Sequence, residues 1–195
     1  QMSLTGYSYL LSFKNAAANS TVTHGLFISG SRPISDSEQL TYRAEYAQQS
    51  EYENSPLNYE ATYSLLEIGL KNKKIGLTLG REVLGSDHGT AFKTPLATGH
   101  AFNGWADLFL GTPSAGLEDL YAKVTANLPQ NIKGAVVYHR FQSHVTGQTW
   151  GHELDFSAAR AFGPNLNVLL KGAVFDGDYG RPDVTKFWLQ AVYTF

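Results

Sequence analysis

Six histidines and a scatter of carboxylates are the residues of this 195-residue chain whose types could do chemistry. Asp87 and His88 are adjacent in SDHG, with His100 further along the same stretch, and an Asp–His pair can polarise a water. Asp176, Asp178 and Asp183 in DGDYGRPD could supply further acids. Acid–base work needs such groups to converge on one point, which spacing along a chain does not provide, so a polar loop is the expected outcome. Ser157 and His139 fall on neighbouring predicted strands, but no nucleophile elbow accompanies them and their pairing is read as chance. His24, His139, His144 and His152 lack metal-ligand spacing. The aspartates of DGDYGRPD are hard donors for calcium, yet the run lacks the glutamate that closes an EF-hand loop. With no cysteine, thiolate zinc sites, disulfides and cysteine nucleophiles are excluded. No metal, cofactor or catalytic residue is expected.

A second set of charges is more regular. Arg43 and Glu45, Glu153 and Asp155, and the series Asp119, Tyr121, Lys123 recur at a spacing of two, as do Lys186 and Trp188. Glu82 and Lys171 join them. In a strand, successive side chains point to opposite faces, so each group shares one face. Charges buried inside a β-structure are costly unless they pair or stay wet. Mixed signs therefore point to cross-strand ion pairs filling a narrow interior, or to a hydrated channel wall of weak selectivity.

The elements that carry them read as strands. In TKFWLQAVYTF, Phe187, Leu189, Ala191, Tyr193 and Phe195 oppose Lys186, Trp188, Gln190, Val192 and Thr194. Leu120, Ala122, Val124 and Ala126 oppose Asp119, Tyr121, Lys123, Thr125 and Asn127. Leu40, Tyr42, Ala44 and Tyr46 oppose Thr41, Arg43, Glu45 and Gln49. Leu154, Phe156 and Ala158 oppose Glu153, Asp155 and Ser157, while Ile75, Leu77 and Leu79 oppose Thr78, Gly80 and Glu82. Segments 2–14, 20–30, 58–70, 132–142 and 165–175 also read as strands. The total is about ten, with lengths suited to a tilted membrane crossing.

Connector lengths alternate. Segments 50–57, 84–116, 143–150 and 176–184 are long, whereas 71–74, 128–131 and 162–165 are short; 30–39 breaks the trend. Long loops at one end and short turns at the other mark an outer-membrane barrel. A lipocalin-like barrel or β-sandwich would alternate in the same way with the opposite face inward. Mixed small and aromatic residues on the apolar faces, both signs of charge on the other and a closing strand that ends in Phe195 favour the membrane. Composition agrees: 13% aromatic residues suit strands, and no apolar run is long enough for a spanning helix. A net charge of −2 argues against a nucleic-acid groove. No basic segment followed by an apolar one opens the chain, so Gln1 is not expected to head a signal peptide.

The stretch FKTPLATGHAFNGWADLFLGTPSAGLEDLY at 92–121, preceded by REVLGSD at 81–87, resembles a segment of the alginate-export-like porins of Gram-negative outer membranes. VVYHRF (136–141), GHELDFSAARAF (151–162) and KFWLQAVYTF (186–195) match the same family in style. The resemblance covers essentially the whole chain, which looks like the C-terminal half of such proteins. It implies an all-β fold, a transmembrane antiparallel up-and-down β-barrel with about ten strands in this chain, residues 1–195 forming one barrel domain. Ten strands could close alone or form part of a wider pore.

The expected function is passive diffusion or export of small polar solutes, anionic saccharides among them, through an outer-membrane channel. The acidic excess gives alginate itself no support, since a polyanion conduit should present cations along its wall. Arg43, Glu45, Glu82, Asp119, Tyr121, Lys123, Glu153, Asp155, Lys171, Lys186 and Trp188 are expected to line the lumen. Loop 84–116 is expected to fold inward as a constriction or plug through Phe92, His100, Phe102, Trp105, Asp107 and Phe109. Exposing Phe92, Leu96, Phe102, Trp105, Leu108, Phe109 and Leu110 to water would be costly, and 103–110 suits a short helical turn capped by Asn103. Expected partners are the lipid bilayer, lipopolysaccharide or detergent, and the barrel assembly machinery through the strand ending in Phe195. The alternatives are a structural or adhesion barrel with a filled lumen, and a barrel hydrolase, omptin-like or phospholipase-like.

Overall fold

Wherever polar and apolar residues alternate in the sequence, the computed structural model has a strand; it describes residues 2–97 and 103–195. The long strands are β1 (Met2–Leu11), β2 (Thr21–Pro33), β3 (Gln39–Glu51), β4 (Glu60–Lys71) and β5 (Ile75–Leu84). After two short strands, β6 (Ser86–Asp87) and β7 (Thr90–Ala91), come β8 (Leu117–Leu128), β9 (Ile132–Ser143), β10 (Thr149–Phe162), β11 (Leu166–Gly177) and β12 (Val184–Tyr193). All the long strands join one ten-stranded sheet in sequence order, each antiparallel to the next, with β1 and β12 at its ends. Single 3₁₀ turns at Ala17–Asn19 and Pro129–Asn131 are the helical segments of the described residues.

The expected alternation of connectors holds. Segments 12–20, 52–59, 85–116, 144–148 and 178–183 share one end of the meander, and 34–38, 72–74, 129–131 and 163–165 share the other. The stretch 30–39 is no exception after all, because the β2–β3 ladder continues to the pair Pro33↔Gln39.

Register is pinned partly by aromatic rings laid over glycines. Tyr7 lies opposite Gly25, where an added Cβ would meet the Tyr7 ring at 2.2 Å. The Tyr7 hydroxyl thereby crosses β2 and donates to Glu45 of β3 at 2.7 Å. Tyr121 of β8 repeats the device over Gly80 of β5 and donates to Glu67 of β4 at 2.6 Å. Such pairs fix which residues face each other, and a slip of one residue would turn every side chain to the wrong face.

The two faces differ in an unusual way. Glu82, Asp119, Glu153 and Asp155 are buried, Glu153 to 1% and Asp155 to 0% exposure. On the opposite face Leu66 is 61% exposed and Leu77 43%, and Leu26, Ile68, Leu79, Leu120, Leu154, Leu170 and Leu189 are exposed with them. Polar residues therefore face a covered interior, and leucines face out.

Connector 85–116 provides the cover. Asn103 bonds Glu82 of β5 and Asp107 pairs with Lys186 of β12, so this segment spans the polar face from β5 to β12.

Candidate functional site

The site is built where connector 85–116 meets the polar face. It begins with the hairpin β6–β7, whose two turn residues His88 and Gly89 both have positive φ, at 47° and 74°. That geometry is the tight turn suited to antiparallel strands, so this part of the connector has a period of its own, contrary to expectation. The hairpin also assigns His88 a structural place. Its Nδ1 lies 2.9 Å from Asp87, which accepts the Glu60 backbone N–H at 2.9 Å. That backbone donor, chiefly, holds the Asp87 carboxyl below its usual range.

Beyond the hairpin, Gln49 of β3 clamps the chain. Its side chain donates to the Lys93 carbonyl at 2.8 Å and accepts the Lys93 N–H at 2.8 Å, imitating a sheet ladder. The Tyr59 hydroxyl donates to the same Gln49 oxygen at 3.1 Å. Burial, with Glu51 adding to it, pushes the Tyr59 hydroxyl up to about 12. Burial also lowers the Lys93 ammonium, which bonds the Ala18 carbonyl and sits 5.3 Å from the Tyr59 ring centroid.

Residues 103–107 make the densest contacts. Asn103 donates to Glu82 at 2.9 Å, the Trp105 N–H to Asp155 at 3.1 Å and the Ala106 N–H to Glu153 at 2.7 Å. Gly104 is required between them on two counts: its φ is +83°, and a Cβ there would lie 2.6 Å from the Glu153 carboxylate. Lys171 of β11 lies over the Trp105 ring at 4.0 Å, and Lys186 pairs with Asp107 at 3.2 Å. The expected helical turn over 103–110 is not formed. Turns and bends take its place, and Asn103, at φ 55°, spends its side chain on Glu82 instead of capping.

Below the loop, four carboxylates share the interior with one imidazole. His139 of β9 lies 2.9 Å from Asp119 through Nδ1 and 3.6 Å from Asp155 through Nε2, its ring stacked on Phe141 at 5.3 Å. Tyr63 donates to Glu82 at 2.6 Å. Each acid thus meets a donor, which offsets much of the cost of burying it. The nearness of Ser157 and His139 in the predicted strand order is read as chance. In the ladder His139 faces Glu153, while Ser157 faces Ala135.

At the far side the loop is apolar. Phe109 packs against Phe141 at 4.6 Å, Trp150 at 6.0 Å and Phe175 at 6.3 Å. Arg181, from connector 178–183, covers Phe109 and Trp150 at 5.1 and 4.5 Å, and burial lowers its guanidinium. Phe92 and Phe109 are buried as expected, whereas Leu96 and Leu110 are exposed. His100 and Phe102 lie outside the described residues.

The loop leaves one part of the interior open. A cavity of about 410 Å³ lies beside it against the β1–β5 wall, lined by Tyr7, Tyr9, Arg43, Glu45, Tyr63 and Glu82 among others. Arg43 pairs with Glu45 there at 3.1 Å.

No family model matches the chain, and no curated protein matches it.

Every residue expected to line a lumen lies on the polar face, Lys123 being exposed there. Arg43, Glu45 and Glu82 border the cavity; Glu82, Asp155, Glu153, Lys171 and Lys186 meet the loop. Trp188 lies 5.5 Å from Lys171, and Tyr121 and Lys123 follow Asp119 along β8. Gln49, Tyr63, Tyr7, Asn103 and His139 are additional residues of the site. Gln49 and His139 lie on predicted strands, but neither carries the fixed charge that marks most of the others. The acids weighed for the hydrolase alternative, where a polar loop is the expected outcome, do not gather. Asp183 accepts the Gly177 N–H at 2.9 Å, and Asp178 lies 3.9 Å from His152. Among the described residues no cluster suited to a metal ion is present.

Proposed function

We propose that the chain forms a Gram-negative outer-membrane β-barrel, alone or with further strands, and works as a narrow diffusion channel for small polar solutes. The observation that carries this reading is the inverted burial: carboxylates covered on one face, leucines exposed on the other. A soluble barrel or sandwich buries the apolar face. A lipid-embedded barrel presents alternate apolar residues to the acyl chains and polar ones to its interior. The ten-stranded antiparallel meander in sequence order and the grouping of short turns at one end support it. So does the stretch 92–121, with its likeness to alginate-export-like porins.

Connector 85–116 is the constriction in this proposal. It fills the β8–β12 side through Trp105, Asp107 and Phe109, leaving solutes the cavity along β1–β5. Mixed charge at that cavity (Arg43 against Glu45 and Glu82) gives weak ion selectivity. The partners are the lipid bilayer with its lipopolysaccharide leaflet, polar or saccharide solutes, and the barrel assembly machinery through the strand ending in Phe195. A second reading is a structural barrel with a filled lumen, favoured by the number of bonds that hold residues 103–107.

Planar-bilayer recording of the refolded protein separates the two. Stable ohmic steps support the channel. A barrel that inserts and shifts in gel mobility on heating but stays electrically silent supports the filled lumen.

A further inference from the structure

The two ends of the meander are charged differently. At the short-turn end stand Arg32, Lys71, Lys73, Lys74, Lys133 and Arg160. The acids in the short turns themselves are Asp36 and Glu38 of connector 34–38. At the long-loop end acids dominate, with Glu53, Asp87, Asp176, Asp178 and Asp183 against Lys14, Lys93 and Arg181.

The short-turn cations also lack carboxylate partners. Among the described residues the ion pairs belong to Arg43, Arg81, His88, His139, His152 and Lys186, and none to the six cations of this rim. Arg160 donates to Gln130 at 2.9 Å and lies over Phe162 at 4.6 Å, but meets no carboxylate.

Their position relative to the exposed apolar face is specific. Across four strands the register aligns Arg32 with Leu40, Leu70 and Leu77, and Leu70 and Leu77 are exposed. One turn connects that row to Lys73 and Lys74. Their turn is tied to β8 by Asn127, which bonds the carbonyls of Lys73 and Lys74, and Asn127 faces Lys133 of β9. Arg160 stands beside exposed Phe162 on β10. The result is a band of cations without carboxylate partners, Arg32, Lys73, Lys74 and Arg160, bordering the apolar face from β2 to β10, with Lys71 and Lys133 beside it on the polar face. Long cationic side chains placed so can rest their stems on apolar surface and hold their heads at the level of lipid phosphates.

We propose that this short-turn rim is a docking surface for the phosphates of anionic phospholipid headgroups in the leaflet it meets. The inference rests on the membrane-barrel reading and adds to it a headgroup preference confined to one rim. Charge complementarity selects the occupant: the band is basic, continuous with the lipid-facing leucines, and opposite an acidic rim that would repel the same lipids.

Electron spin resonance on the protein in phosphatidylcholine vesicles tests it, using trace spin-labelled phosphatidylglycerol or phosphatidylcholine. Each probe reports the fraction of lipid immobilised at the protein surface. The expected result is a preference for phosphatidylglycerol of about fivefold, the ratio given by one lysine-scale contact with an anionic surface. It should fall towards one at about 1 M salt, where the Debye length is ~3 Å. It should also fall in Arg32→Gln/Lys73→Gln/Lys74→Gln/Arg160→Gln, whose immobilised phosphatidylcholine fraction should match wild type and so report an intact barrel. Equal immobilisation of the two probes by wild type, or a preference untouched by the four substitutions, would overturn the docking surface. Failure to immobilise either lipid would instead sink the membrane reading on which it rests.

Discussion

The backbone N–H of Ala106 donates to the carboxylate of Glu153 at 2.7 Å, on the buried polar face of the sheet. Glu153 is 1% exposed, so the bond fixes the loop to β10 away from competing water. Hydrogen bonds to a buried charge contribute more than neutral ones, about 1.5–3 kcal/mol. Glu153→Ala should therefore free residues 103–107 and raise single-channel conductance, with a loss of roughly 2 kcal/mol in stability. Glu153→Gln keeps an acceptor in place and should conduct like wild type. Equal conductance in all three proteins would remove the loop from the conduction path.

Gly25 tests the register. An added Cβ would stand 2.2 Å from the Tyr7 ring, so Gly25→Ala must push the ring aside and break its bond to Glu45. Overpacking of this kind costs roughly 1–3 kcal/mol, measurable by urea unfolding in detergent or lipid. Adding Tyr7→Ala should make the second change nearly harmless. Additive losses would mean that the ring does not lie over the glycine.

Phe109 is the apolar end of the same anchor, against Phe141, Trp150 and Phe175. Phe109→Ala should cost about 3–5 kcal/mol, the range for a large buried aromatic. Limited proteolysis should then cut within 85–116 faster than in wild type. Unchanged cleavage would show that Phe109 does not hold the loop.

Leu66 addresses the outer face. Exposed to 61% on β4, it would cost little to replace in water. Under the present account Leu66→Arg faces lipid and should destabilise the bilayer-inserted protein by about 2–4 kcal/mol near the bilayer centre. A loss well below that range, in a protein still inserted, would place Leu66 outside the acyl region.

Much of the fold is legible in the sequence because strand periodicity is local. The opposition of Lys186 and Trp188 to Phe187 and Leu189 needs only the alternation of side chains, and the polar faces of β3, β8 and β10 follow alike. What periodicity could not give was which face lies inside, since the same alternation serves soluble and membrane barrels. Burial of Asp155 beside exposure of Leu77 supplies that information. The site was less legible. Trp105 and Ala106 contribute backbone N–H groups, which no residue type announces. Asn103 is of a type suited to a helix cap, but the buried Glu82 carboxylate on β5, 21 residues earlier, competes successfully for its side chain. His139 looked like an isolated histidine because Asp119 meets it only through the β8–β9 ladder.

In the proposed barrel the leucine face meets lipid and the carboxylate face does not. The chain has no cysteine, so single cysteines can be labelled with a fluorophore without background. Leu79→Cys on the outer face and Lys123→Cys on the inner face, each reconstituted in vesicles, should be compared for quenching by nitroxide-bearing acyl chains. Strong quenching is expected at position 79 and little at position 123. Strong quenching at 123 with none at 79 would contradict that assignment of the faces.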